Sequence, residues 1–388
     1  VCDLDMEFLH HGLPQRVLHA RWSMPTLEEP FLSLPDNWTE TYAQVLAHGN
    51  VCSKEPIVRL YDHGVQGTNV LPPFSGVGND GPNDAVVLTP ILGKPYGVVI
   101  SHGLNPVLNR IDPYWGGIWA ATEALANLVA VGGNPEKAWL IDNFIWPFPD
   151  EEALGALDRA VDACVDVSQA FGIPFVSGKD SLSSTYSGKD GTIIKIPPVL
   201  CISAFGNIPD VAKTITADFK EAGSVIMLLG LLNPLAMGGS VYFETCGVTG
   251  ANLPQVDLQR SALVFRTLHA LIQRGLILAC HDVSEGGVLA ALAEMCFGGN
   301  VGASIDTFGL GEGRADYLLF NEMAGCFIAE VRLEDVCDIL FSGVHANVLG
   351  STHSDAFVRA AQRGEHLFTA SLADLKAAWQ KPMQEVFH

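Results

Sequence analysis

Short apolar runs alternate with longer stretches of helical spacing along most of this chain. Through residues 1–58 the pattern is broken by Pro14, Pro25, Pro30, Pro35 and Pro56. The opening VCDLDMEFLHHGLP begins as a strand would. TLEEPFLSLPDNWTETYAQVLAHGN carries helical spacing with a stop at Gly49 and Asn50. Residues 1–58 read as a linker that packs on its neighbours. From residue 59 the rhythm is regular: DAVVLTP and YGVVISHG are β-branched runs bounded by Gly and Pro, which predicts strands. GIWAATEALANLVAVGG predicts a largely buried helix closed by Gly132 and Gly133. KAWLIDNF predicts a strand and EEALGALDRAVDACVDVSQAFG a long helix. PFVSGKD and PPVLCISAFGNI predict further strands, and a first domain, 59–210, ends there.

The second domain, 211–388, restarts with the strand SVIMLLG. The helix LQRSALVFRTLHALIQRG, the strand ILACHD and a helix beginning near Val288 follow. YLLFNEMAGCFIAEV reads as two strands with a turn at Met323–Gly325, and SLADLKAAWQKPMQEVF as a polar-faced final helix. Strands mixed with helices and hairpins predict two α+β domains. The length of 388 residues agrees, because single cores rarely grow past about 250–300 residues.

Charge narrows the choice of partners. There are 22 Lys plus Arg against 43 Asp plus Glu, a net charge of -21. Such a surface repels phosphate backbones and anionic membranes, which argues against nucleic-acid and membrane partners. A small phosphate-bearing ligand stays compatible, since a cation bridges carboxylates to phosphates. Nine scattered cysteines without a CxxC fit reduced thiols in a cytoplasm. No apolar run reaches the roughly 18 residues of a membrane span. The absence of an initial Met reads as a cut from a longer chain.

Four polar residues interrupt apolar elements. Asp84 opens DAVVLTP, Glu123 and Asn127 share one helix face four residues apart, and Asp282 follows the strand LILAC. A carboxylate in an Ala/Leu/Val helix costs free energy unless it is paired or metal-bound. Two loop carboxylates plus a Glu/Asn pair offer only oxygen, the donor set of Mg2+; no Cys/His spacing suits zinc. Each residue also has a plain structural reading. Glu123 and Asn127 serve as a solvated stripe or a helix-packing contact, Asp282 as a cap of the next helix, and Asp84 as a turn residue. HDVSEGG is unusual in placing His281, Asp282, Ser284 and Glu285 together ahead of a glycine pair. SGKDS reads as a turn after a buried strand, where backbone N–H groups and Lys179 would hold phosphate. The histidines at 10, 11, 63, 102 and 281 lack a visible Ser or Cys partner. No GxGxxG or Walker loop is present.

LYDHGVQGTNVLPP, NDAVVLTP, DPYWGGIWAATEALANLVAVGGNP, FVSGKDSLSSTY, GGSVYFE, HDVSEGGVLAALAEMCF and LFNE occur in that order. Together they resemble the second half of the synthetase region of phosphoribosylformylglycinamidine synthases (formylglycinamide ribonucleotide amidotransferases), over essentially the whole chain. The opening segment resembles the piece joining the two halves, so 1–58 would be a linker from the preceding repeat. The resemblance implies an α+β fold: an aminoimidazole-ribonucleotide-synthetase-like repeat, whose N-terminal domain pairs its sheet at a pseudo-two-fold interface. It implies an ATP-dependent carbon–nitrogen ligase of purine biosynthesis, with formylglycinamide ribonucleotide and ATP as substrates and Mg2+ and ATP/ADP as cofactors.

By motif, Asp84, Glu123, Asn127 and Asp282 correspond to magnesium ligands of a second nucleotide site, and Ser284 to a nucleotide contact. Asp142 and Gly178 match positions reaching the catalytic ATP across the interface, and Ser181 matches a substrate contact. Short family members carry a metal-ligating Asn where this chain has Lys179, so a phosphate role suits Lys179 better. The family's catalytic His lies in a first-half motif that this chain lacks, as is the glutaminase. The expected partners are therefore a first half, a glutaminase domain or subunit, or a second copy, and the chain alone is expected to be inactive. Rival readings are a stand-alone relative, such as aminoimidazole ribonucleotide synthetase, and a nucleotide-binding structural subunit without catalysis. The former carries a glycine-rich, Lys-containing leader that is not found here.

Overall fold

A computed structural model describes residues 2–13 and 17–387; Pro14, one of the expected breaks in the opening pattern, lies outside the described residues. Two sheets carry the fold. The first contains β1 (Asn69–Leu71), β2 (Val86–Leu88), β3 (Gly97–Gly103), β4 (Ala138–Ile145), β5 (Phe175–Ser181) and β6 (Val199–Ile208). Their spatial order is β1-β2-β3-β6-β4-β5, antiparallel except for the β4–β5 pair.

The second contains β7 (Val225–Leu229), β8 (Ala279–Asp282), β9 (Gly302–Asp306), β10 (Phe327–Val331), β11 (Ala346–His353), β12 (Phe357–Gln362) and β13 (Glu365–Ser371). It runs β8-β10-β7-β11-β9-β12-β13, with β9 and β12 parallel. Strand β10 is buried at all five positions, so that sheet is covered on both sides.

Helix α1 (Trp38–Leu46) precedes the first sheet, and α2 (Pro113–Ala130) and α3 (Glu151–Phe171) lie on it. Asp112 caps α2 through the Tyr114 N–H, 3.0 Å away, and Pro113 occupies the first turn, where its missing N–H costs nothing. Both oxygens of the same carboxylate accept from Arg159 Nη2 of α3 at 2.8 Å, which clamps the two helices. Gly103 is the close approach that seats α2 on β3: a Cβ there would come within 2.3 Å of the Ala120 carbonyl.

Only one face of this sheet is filled. Val99, Leu140 and Ala204 point at the helices and are buried, while Ile100, Phe205 and Trp139 form a half-buried row across three strands on the other side. A second layer, α4 (Leu258–Gln273), α5 (Gly287–Gly299) and α6 (Leu372–Phe387), packs around the second sheet and against α2.

The segment before residue 58 is more than a connector. Arg21 N–H donates to the Glu151 carbonyl at 2.8 Å, and Glu29 accepts from the N–H groups of Ala251 and Asn252. Helix α1 is tied into the second layer where the Tyr42 hydroxyl donates to the Leu289 carbonyl at 2.6 Å.

Three local expectations are corrected. The opening is a short helix, Met6–His11, capped by Asp5, not a strand. YLLF forms a helix, Ala315–Leu319, and only FIAEV is a strand, since a four-residue apolar run has no period to tell the two apart. Gly178–Ser181 is not a turn: it continues β5 to the sheet edge, paired with Asp142–Ile145. No helix among the described residues is long and apolar enough to cross a membrane, and the nine cysteines are free thiols.

Candidate functional site

A cleft of about 500 Å³ opens between the two layers. It is lined by Asp84 ahead of β2, by Glu123 and Asn127 on α2, and by Asp282 and Ser284 at and beyond the end of β8. Five residues singled out from the sequence thus share one cavity, although up to 200 positions separate them.

The cap reading of Asp282 and the solvated-stripe reading of Glu123 do not hold, while Asp84 does stand in a bend ahead of β2. Asp282 does not cap α5, because the helix begins on Gly286 without a side-chain cap and the Gly286 N–H is taken by Glu322 Oε1 at 2.8 Å. Asp282 Oδ1 instead accepts from the Ser284 hydroxyl at 3.3 Å, and its Oδ2 is buried with no partner. Glu123 is only 7% exposed, so it does not belong to a solvated stripe; one oxygen accepts from the Leu104 N–H at 2.9 Å. Asn127 donates to the His102 carbonyl at 3.0 Å, which leaves its own oxygen free to face the cleft. Asp84 Oδ1 accepts from the Asp282 N–H at 2.9 Å, and its Oδ2 is the second buried oxygen without a partner.

Electrostatics show the strain of this gathering. The pKa of Glu123 is pushed well up by burial and then by Glu285 and Asp282. That of Asp282 rises through burial and then Asp84. Burial lifts Glu285 to about 7. Clustered acids in a low-dielectric cleft repel one another, and a cation is what relieves them. The oxygen-only donor set and two orphaned carboxylate oxygens fit a hard divalent ion such as Mg2+.

The cleft also holds residues the sequence reading passed over. Lys54 reaches in from the presumed linker, its ammonium donating to the Cys52 carbonyl at 2.6 Å, and it opposes the rise in Glu285. No motif announces it. Glu294 projects from the apolar helix α5 into the same cleft. Its signal, an acid inside an Ala/Leu run, is the one that drew attention to Glu123. His281, already conspicuous in HDVSEGG, is 8% exposed, and burial works against its charge, but Asp84 and Glu294 outweigh that and raise its pKa.

The remaining expected residues lie elsewhere, on β4 and the edge strand β5. Asp142 stands beside Gly178, where a Cβ would come within 2.4 Å of its carboxylate oxygens, so glycine is what lets the acid sit there. Both line a hollow of about 740 Å³ against α3, together with Asp180. Burial and then Asp180 raise the pKa of Asp142. Lys179 and Ser181 alternate with Gly178 and Asp180 along the strand and fall on its opposite side, where the Lys179 ammonium contacts the Ser181 hydroxyl. The structure therefore joins Asp142 with Gly178, and Lys179 with Ser181, but does not merge the two pairs.

Two family models match this chain: the AIR synthase related protein N-terminal domain over residues 82–208, and the corresponding C-terminal domain over 221–359. The chain belongs to the AIR synthase related family. Within it, the kinship read from the motifs holds over nearly the full length: this is a homologue of the phosphoribosylformylglycinamidine synthase subunit PurL. The PurL of Methanothrix thermoacetophila is 32% identical over 92% of this chain, which corresponds to 46% of that protein. Thermotoga maritima PurL shares the fold. Its complex with FGAR superposes with a TM-score of 0.69 at 17% identity, covering 88% of this chain and 53% of that one. Its complex with ADP gives 0.65 at 17% identity, covering 89% and 52%. The chain thus spans about half the length of the relatives it matches.

Proposed function

We propose that this chain is the second half of a PurL-type synthetase, an ATP-dependent carbon–nitrogen ligase acting in the cytoplasm, and that its cleft holds a magnesium–adenine nucleotide. One observation carries the reading: Asp84, Glu123, Asn127 and Asp282 face a single cleft in which two carboxylate oxygens are buried without partners. These four residues would hold Mg2+, which when bound neutralises polyphosphate charge. Ser284 supplies a hydroxyl and Lys54 an ammonium to the same cavity, and both suit phosphate oxygens. The buried Trp379 side of the cleft excludes bulk water from the acids, which strengthens their hold on a cation.

In the whole enzyme, ATP would phosphorylate the amide oxygen of formylglycinamide ribonucleotide. Ammonia would then displace phosphate to give the amidine. This chain's share is positional. Asp142 and Gly178, on an open edge, would reach a nucleotide held mainly by the other half. Lys179 and Ser181 would meet phosphate or substrate on the far side of the strand. The row Ile100–Phe205–Trp139 is the surface on which a first half, or a second copy of this chain, would pack. A glutaminase domain or subunit would supply ammonia.

The reading is tested by denaturing freshly purified chain and identifying the released small molecules by mass, alongside calorimetric titration with Mg-ADP. Release of an adenine nucleotide, or saturable Mg-ADP binding that Asp282→Asn abolishes, is the expected result. A chain that carries no nucleotide and binds none in Mg2+ would overturn it. The isolated chain should show no turnover with formylglycinamide ribonucleotide, ATP, Mg2+ and ammonium.

A further inference from the structure

His281 lies within ligand distance of the acids around the cleft: one atom each of Asp84, His281 and Asp282 fall within 4.8 Å of one another. It nevertheless has no ring nitrogen to give. Nδ1 is 2.9 Å from Asp84 Oδ1, and Nε2 is 2.9 Å from Glu294 Oε2. Glu294 is held in turn at its other oxygen, which accepts from the Trp379 indole N–H at 3.1 Å; the same N–H also reaches the Val51 carbonyl at 3.0 Å. An unbroken line of contacts therefore runs from Asp84 through His281 and Glu294 to Trp379 on the last helix. Trp379 is 1% exposed and packs against Phe297, so this end is anchored in the core.

The line decides which oxygen of Asp84 is available. His281 and the Asp282 N–H both engage Oδ1. The carboxylate is thereby fixed in rotation, and Oδ2 is the atom left buried and unpartnered. We propose that His281 and Glu294 are positioning residues, not ligands, and that with Trp379 they form a brace presenting Asp84 Oδ2 to the divalent cation. The inference rests on the magnesium–nucleotide reading of the cleft. It adds a dependence of cation affinity on the C-terminal helix.

Second-sphere partners of metal ligands typically change affinity about 10–100-fold when removed. The test uses the full chain with Mn2+ and ADP, followed by electron paramagnetic resonance. Glu294→Met removes the acceptor for His281 and should weaken Mn2+ binding about 10–100-fold. Glu294→Gln keeps an oxygen for His281 and should recover most of that loss. Trp379→Phe keeps the ring but deletes the N–H, and should weaken binding about threefold, the size of one hydrogen bond. Spin-echo modulation from bound Mn2+ should show no imidazole nitrogen coupling. If Glu294→Met does not fold, the Trp379→Phe titration and the nitrogen signal decide the matter. Nitrogen coupling in the parent chain would make His281 a ligand and overturn the brace. So would parent-like Mn2+ affinity in Glu294→Met or, where that variant is unfolded, in Trp379→Phe. A parent chain that binds no Mn2+ at all would remove the brace together with the cleft reading, a failure distinguishable from the other two.

Discussion

The cleft and the edge strand make opposite use of the same residue types. In the cleft, acids from a loop, a helix and a strand end converge within one chain, and each is pinned by a backbone or side-chain contact before any ion arrives. Asp142 on β4 and Gly178, Lys179 and Ser181 on the edge strand β5 lie at an open margin of the sheet, exposed or half-exposed and divided between two faces. The cleft residues gather within one cavity. The second group is split between an open hollow against α3, which Asp142 and Gly178 line, and the opposite side of the edge strand, which carries Lys179 and Ser181. Buried acids demand a counter-charge from the molecule's own interior, whereas an exposed edge tolerates an unfinished arrangement because water satisfies it.

Substitutions can break this contrast. The largest effect is expected for Asp282→Asn, which should weaken Mg-ADP binding by at least about 100-fold, because a buried ligand charge is lost. Asp142→Asn should leave that binding unchanged in the same calorimetric titration. Equal losses in the two variants would erase the distinction between the sites. Next comes Trp139→Glu on the uncovered sheet face. It should weaken association with a first half or second copy by about 30-fold or more, the cost of a central apolar anchor, in sedimentation. Nucleotide retention should be intact.

Gly178→Ala is a gentler probe. Its methyl group meets the Asp142 carboxylate, so turnover of a reconstituted enzyme should fall about tenfold for roughly 1.4 kcal/mol of misplacement. Cleft binding should not move.

The smallest effect is a pH dependence confined to the cleft. Glu285 holds its proton up to about pH 7 in the folded state, against 4.5 for an ordinary glutamate. The stability this lends is full below about pH 4.5 and is lost as pH rises through about 7. Metal-free chain should therefore melt a few degrees lower at pH 8 than at pH 5.5. Mg-ADP should narrow the difference; a gap that persists with ligand would place the strain outside the cleft.

Much of the architecture was legible because burial leaves a period. The helices α2, α3 and α4 and the strands β3, β4, β6 and β7 announce themselves by apolar spacing and by Gly or Pro at their ends. The errors fall where the signal is short or ambiguous. YLLF is too brief to show a period, and SGKDS has turn-forming residues that are nonetheless drawn into a strand by pairing with β4. At the site, Asp84, Glu123, Asn127 and Asp282 stood out as polar interruptions of apolar elements. Glu294 sent the same signal from α5. Lys54 sent none, since a lysine in a proline-bounded segment is ordinary until the fold turns it inward.

Taken alone, then, the order of residues determined which elements form, which face of each is apolar, and which acids sit where an acid is costly. Those are local properties, set by neighbours three or four positions away. The tertiary structure decided that a linker lysine and acids from distant segments meet. It also decided that His281 spends both nitrogens on carboxylates, and that Asp84 offers Oδ2 rather than Oδ1. Such choices depend on rotamers and pairings selected by packing between segments as much as 328 residues apart, which no local pattern records.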